Sequence, residues 1–381
     1  MSNRIQTTHV GSLPRPVELI GPIVAKDRGA PYDEDELRRL VASAVNAVVE
    51  AQVESGVDVV SDGEMSKPSY TNYLKDRLNG FGDGDTQLMV PLDLEQSPAF
   101  MAMMAKNAEN NPLTPPACTA PISAKDLTPL ESDIDNFRVA INKHGPGGAF
   151  MNAATPGVIS IFMPNQYYAS EDEYVFALAD AMQAEYEAIV NAGFRLQLDA
   201  PDLAMGRHTY YKNLSDADFR KRAVRNVEAL NHATRNIAPE QMRLHLCWGN
   251  YPGPHHCDVA LDLVLATVMR VRPQTLLFEA ANPRHAHEHR VWAERRQDIP
   301  DDKILCPGVI DTNTNCIEHP ELIAERLDNF ANIVGGDRVM AGTDCGFSTV
   351  ADRLRVFPDF VWRKLQAQRE GADLAAARIW R

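Results

Sequence analysis

In the stretch Arg243-Leu244-His245-Leu246-Cys247-Trp248 an imidazole and a thiol are separated by one residue. Leu244 and Leu246 alternate with them, the pattern of a short β-strand. Successive strand side chains point to opposite faces, so His245 and Cys247 share one. A nitrogen and a soft sulfur held side by side on rigid backbone are two of the ligands a zinc ion takes. The same pair also reads as interior filling, because cysteine is often buried with no further role. The other cysteines, Cys118, Cys257, Cys306, Cys316 and Cys345, are scattered, and no CxxC pair occurs. Any zinc site must therefore be assembled from distant segments.

The elements that would assemble it recur along the chain. Strand-like runs are read at Ile5–Gly11, Val57–Gly63, Ala149–Thr155, Phe194–Asp199, Arg243–Trp248, Thr275–Ala280, Ile304–Asp311 and Arg338–Thr343. Segments of helical periodicity lie between most of them, at Glu34–Ser55, Glu171–Ala192, Asp216–Asn236, Val259–Val271, Pro320–Val334 and Val350–Arg369. Strands alternating with helices imply parallel pairing and right-handed crossovers. Eight of them predict an α/β chain folded as a (β/α)8 TIM barrel in one catalytic domain, residues 1–381. No GxGxxG follows the first strand, which disfavours a dinucleotide-binding sheet. The Pro-, Gly- and Asp-rich stretch 79–148, with Met101–Met104, is too long for a plain βα loop. It is read as an insertion after the second strand, lying over one end of the barrel.

In such a barrel the chemistry sits at the C-terminal ends of the strands, and the unusual polar residues fall there. The first strand ends in His9-Val10-Gly11-Ser12, the second in Asp62-Gly63-Glu64, the fourth in Gln197-Leu198-Asp199. The sixth ends in Glu279, the seventh in Asp311-Thr312-Asn313, and the eighth runs into Asp344-Cys345-Gly346. His245, Cys247, Glu279 and Cys345 can thus converge at one mouth as a four-ligand zinc set. The plain alternatives are a carboxylate paired to an arginine for Glu279 and a buried loop thiol for Cys345. His255, His256, His285, His287 and His289 sit in polar sequence and are expected on a solvated face. His9, at a strand end, is expected to face the pocket.

A net charge of −14 argues against a polyanionic partner such as nucleic acid. No apolar run approaches the roughly 20 residues that span a membrane. Met1-Ser2-Asn3-Arg4 carries no apolar signal-peptide core. A cytoplasmic location is the expectation; the oligomeric state is left open.

Taken in order, these motifs resemble the cobalamin-independent methionine synthase family, specifically its zinc-bearing C-terminal barrel. The resemblance covers the chain apart from 79–148. It is carried by Thr7-Thr8-His9-Val10-Gly11-Ser12-Leu13-Pro14, Asp62-Gly63-Glu64, Gln197-Leu198-Asp199, the His-x-Cys strand, Glu279 and Asp344-Cys345-Gly346. It implies a zinc site of His245, Cys247, Glu279 and Cys345. It also implies that Ser12, Glu64 and Asp199 hold the amino-acid part of homocysteine. Two carboxylates suit an ammonium, and the N–H groups of a Gly-Ser turn suit a carboxylate.

Three departures qualify what carries over. There is no room for the second, N-terminal barrel of the full-length enzyme. Asn313 stands where the family has a proton-transfer histidine. The Asp-Glu-Pro segment is Asp199-Ala200-Pro201, without the Glu. These fit the family's single-barrel members, which use varied donors. The expected activity is zinc-dependent S-methyl or S-alkyl transfer, of the 5-methyltetrahydropteroyltriglutamate–homocysteine methyltransferase type. A zinc-bound thiolate attacks a small-molecule donor, be it folate, corrinoid or epoxide, and His9 or Asp311 supplies the proton to the leaving group. The alternative is epoxide opening with coenzyme M as in epoxyalkane–coenzyme M transferases, whose sulfonate would need Arg15 or Arg207. A metal-free porphyrinogen-decarboxylase-like barrel and a non-catalytic thiol or zinc binder are further alternatives.

Overall fold

Six short strands form one parallel sheet in the order β1-β4-β5-β6-β7-β8. Their ranges are β1 Val59–Val60, β4 Gly148–Ala154, β5 Arg195–Asp199, β6 Met242–Leu246, β7 Thr275–Phe278 and β8 Ile304–Pro307; an antiparallel ribbon of β2 Leu78–Gly82 and β3 Ala117–Ala124 stands apart. This computed structural model describes residues 3–84, 86, 89–107 and 116–381. The middle strands are buried on both faces, as parallel strands covered by helices are.

The helices between the strands are set by caps and apolar stripes. Asp33, Ser170 and Ser215 each accept from a backbone N–H three residues on, at the starts of Glu34–Glu54, Glu171–Asn191 and Asp216–Ala233. Helix Pro320–Val334 has proline in its first turn and buries Ile323, Leu327, Phe330 and Val334, one stripe of a 3.6-residue period. Fully burying each such side chain contributes about 1.5–3 kcal/mol.

The first and last expected strands are not continuous strands. Segments 5–11 and 338–343 join the sheet only by isolated parallel bridges, Thr7–Ala341, Thr8–Val59, Leu305–Val339 and Gly308–Gly342. One reason is a side chain from helix Pro358–Ile379. Gln368 Nε2 donates to the carbonyls of Thr8 (3.0 Å), Ala341 (3.1 Å) and Gly342 (2.8 Å). Arg243, buried on β6, ties the N-terminal segment from the other side, donating to Thr8 Oγ1 at 2.9 Å and His9 O at 2.7 Å.

Two other expectations shift. The last helix starts at Pro358 rather than Val350, because the residue before a proline is driven out of the helical region. Residues 350–357 are therefore free to form a loop. Stretch 79–148 is not irregular throughout. It holds β3, helices Leu92–Glu95 and Pro98–Asn107, and a regular helix, Thr128–His144, burying Leu130, Ile134, Phe137 and Ala140. Among the described residues no helix is long and apolar enough to cross a membrane.

Candidate metal centre and its cavity

His245 is the penultimate residue of β6 and Cys247 lies just past its end. Cys345 comes from the loop after the last bridged segment. All three are buried, and one ligand atom from each lies within 4.8 Å of the others. The two sulfurs are 3.2 Å apart, and Cys345 Sγ is 3.9 Å from His245 Nε2. Glu279 stands beside this trio rather than in it, with Oε1 3.8 Å from Cys345 Sγ. Its carboxylate accepts from Trp248 N at 2.7 Å and Asn282 Nδ2 at 2.8 Å. Among the described residues Glu279 has no ion pair with an arginine, which removes the plain reading of that carboxylate. Asp344 holds the same turn, Oδ1 accepting from Ala280 N and Ala281 N and Oδ2 from Asn282 N, each at 2.8 Å.

The acidic and thiol groups of the cluster shift one another. The hydrogen bond from Cys345 lowers the pKa of Cys247, and the Gly249 N–H adds to that. Burial, then the charge of Cys247, pushes Glu279 well above the carboxylate range. Burial and Cys247 likewise push Cys345 well up. Two soft sulfurs, an imidazole and an adjacent carboxylate, buried together, have the donor chemistry of a zinc site.

A cavity of about 490 Å³ opens onto the cluster, and Ser12, Glu64 and Asp199 share its wall with His245, Cys247 and Cys345. Asp199 is held from two sides. Gln197 Nε2 donates to its Oδ1 at 3.1 Å, and Asn152 Nδ2 to its Oδ2 at 3.0 Å. Glu64 adopts φ 58°, the left-handed region that a non-glycine residue enters at a cost and that clusters at functional sites. Burial raises its pKa to about 7, with Lys67 opposing and Asp199 adding to the rise. Ser12 abuts the residue after Cys345, where a Cβ on Gly346 would lie 2.0 Å from Ser12 Oγ. Glycine at 346 is what lets the two loops meet.

The two expected proton donors are not brought to this wall. His9 is fully buried, Nε2 lying 2.7 Å from Gln52 Oε1 and Nδ1 accepting from Gly11 N at 3.1 Å. Burial drives its pKa down to about 3, so the ring is neutral and both nitrogens are engaged. Asp311 turns back on its own loop, Oδ1 accepting from Asn313 N at 2.8 Å. Arg15 and Arg207 do not line the cavity either. Arg15 donates to the carbonyls of Ser348, Glu64 and Lys67, each at 2.8 Å, and Arg207 pairs with Asp216 at 2.9 Å. The expectation of solvated histidines fails at His285, which is buried between Asp258 (3.0 Å) and Glu288 (2.9 Å).

Other residues of the site come from outside the strand ends. Tyr70, Arg353 and Arg355 line the cavity. They lie in irregular segments where no period marks a pocket. Asn152, the polar position in the apolar run of β4, and Asn282, three residues after Glu279, do carry a sequence signal.

No family model matches the chain. Curated relatives do, over nearly its full length. The methionine synthase of Saccharolobus solfataricus is 23% identical over 384 residues, covering 99% of this chain and 96% of that protein. That of Sulfolobus acidocaldarius is 22% identical over 360 residues, covering 92% and 88%. Among solved structures, a B12-independent methionine synthase from Shewanella sp. W3-18-1, in complex with selenomethionine, superposes with a TM-score of 0.75 at 19% identity over 99% of both chains. A putative vitamin-B12-independent methionine synthase from Listeria monocytogenes gives 0.67 at 20% identity, over 97% of this chain and 99% of that one. Along nearly its whole length the chain is thus similar, at low identity, to proteins named methionine synthase, and its fold matches those of two B12-independent methionine synthase structures.

Proposed function

We propose that this protein is a zinc-dependent thiol S-methyltransferase, in which a homocysteine-like acceptor takes a methyl group from a small-molecule donor. The observation that carries the reading is the cavity itself. It joins a sulfur-rich cluster to a pair of carboxylates on one cavity wall. The relatives named methionine synthase support the reaction class.

In this reading His245, Cys247, Glu279 and Cys345 hold the zinc. When bound, the metal lowers the pKa of the substrate thiol, while two thiolate ligands keep that sulfur nucleophilic. The rest falls to the chain's own groups. Glu64 and Asp199 take the ammonium of the acceptor, and the backbone around Gly11 and Ser12 takes its carboxylate. Asn152 and Gln197 orient Asp199, as Asp344 and Asn282 orient the Glu279 turn. The apolar wall of Met89, Leu94, Phe162 and Met205 excludes water and fixes the approach of the donor. Since His9 and Asp311 lie away from the wall, the phenol of Tyr70 is the group proposed to protonate the leaving atom. The same proposal takes the six-stranded sheet and its two bridged flanking segments as one closed (β/α)8 barrel in a single catalytic domain.

The test is zinc quantitation together with a methyl-transfer assay. Stoichiometric zinc and homocysteine-dependent methyl transfer support the reading. Transfer that needs no metal, or a preference for thiols without an ammonium group, overturns it.

A further inference from the structure

We propose that Arg353 and Arg355 form an anion-binding subsite on the cavity wall, taking an oxyacid group (carboxylate, sulfonate or phosphate) of a substrate that lies over the sulfur cluster. The nature of that substrate rests on the thiol-alkylation reading above. The subsite itself rests on geometry.

Both arginines line the same cavity as Cys247 and Cys345. Arg355 Nη1 donates to Asn313 Oδ1 at 3.2 Å. Among the described residues neither guanidinium forms an ion pair with a carboxylate. Buried Arg77 is ion-paired with Asp133 at 2.6 Å, and buried Arg15 and Arg243, which lack a carboxylate partner among the described residues, are instead held by backbone carbonyls. Arg353 is exposed and Arg355 half-buried, so both guanidinium groups can be reached by a ligand's negative charge without breaking an existing ion pair. A guanidinium fork matches an oxyacid group bidentately.

The charge layout supports this. Burial, opposed by Cys345 and Cys247 and assisted by Arg353, lowers the pKa of Arg355 to about 10. Besides burial, the charges that act on Glu64 are instead those of Lys67, Asp199, Arg15 and Asp62. The cavity therefore has an acidic pole at Glu64 and Asp199 and a separate basic pole beside the sulfurs. At about 490 Å³ it falls in the range of cavities that hold drug-sized ligands, more room than an amino-acid thiol requires. The departure at 313 also gains a role: Asn313, in place of the family's histidine, is the side chain that positions Arg355.

Two sources share this ligand chemistry: the acceptor's own acid group, or an acid group on the alkyl donor. The test is calorimetric titration of the zinc-supplemented full chain with sodium methanesulfonate and with inorganic sulfate, with and without saturating homocysteine. Saturable binding that Arg355→Gln weakens about tenfold or more, and Arg353→Gln to a lesser degree, supports the subsite. Circular dichroism of both variants checks that they fold, and the more exposed Arg353 keeps the test open if Arg355→Gln does not. Binding that persists with homocysteine assigns the group to the donor, and mutual exclusion assigns it to the acceptor. If homocysteine fails to bind while anion binding still depends on Arg355, the subsite stands and the acceptor reading falls. Anion affinity unchanged in both folded variants, or no saturable binding by the parent chain, overturns the subsite.

Discussion

Asp199 and His245 face each other in register across β5 and β6, with His245 Nδ1 3.5 Å from Asp199 Oδ1. One carboxylate thus stands behind a proposed metal ligand and on the cavity wall together. Outer-shell carboxylates of this kind fix the orientation of a ligating imidazole, and losing one typically costs 10–100-fold in metal affinity. Asp199→Asn is expected to weaken zinc binding by about that factor and to raise the KM for homocysteine. Glu64→Gln is expected to raise the KM with little change in zinc affinity. Competitive chelator titration measures the first effect and initial rates the second. Equal zinc affinity in the two variants contradicts the double role of Asp199.

Glu64 gives the site its pH dependence. Burial raises its pKa to about 7, so the carboxylate that meets an ammonium forms only as the pH rises through that value. For homocysteine, kcat/KM should climb toward a plateau above about pH 7, and this inflection should disappear in Glu64→Gln. The stability sign is opposite. A carboxyl whose folded pKa lies above its ordinary 4.5 is protonated more readily in the folded chain, so the metal-free fold should weaken as the pH rises from about 4.5 to about 7. Glu64→Gln should flatten that decline in a series of denaturant melts.

Tyr70 is tested by its hydroxyl alone. General acids contribute typically 10²–10⁴-fold, so Tyr70→Phe should lower kcat by about 100-fold or more while thiol affinity holds. A fall in thiol affinity with kcat preserved would reassign Tyr70 to binding.

How far the chain could be read in advance follows from periodicity. His245 and Cys247 were legible because strand alternation aims them one way, and helix Pro320–Val334 because its apolar stripe is unbroken. Helix Thr128–His144 was hidden by the Pro- and Gly-rich composition around it, although its own stripe is regular. The outer segments 5–11 and 338–343 looked like strands because they carry β-branched residues, Ile5, Thr7, Thr8 and Val10 in one and Val339 and Thr343 in the other. Their carbonyls are met in part by Gln368, a residue some twenty-five positions or more away along the chain. His9 sits at a strand end as expected, yet Gln52 on helix Glu34–Glu54 draws its ring away from the cavity. Arg353 and Arg355 could not be found, since an irregular loop has no period from which to infer what it faces.

The most direct test of the central claim is metal content and activity measured together on Cys247→Ser and Cys345→Ser, with circular dichroism to check folding. The account predicts about one zinc per chain in the parent protein. It predicts that each variant loses metal and methyl transfer in parallel while the fold is retained, because only the sulfurs 3.2 Å apart supply the soft half of the ligand set. Full methyl transfer after complete removal of zinc, or both variants keeping metal and activity, would contradict it.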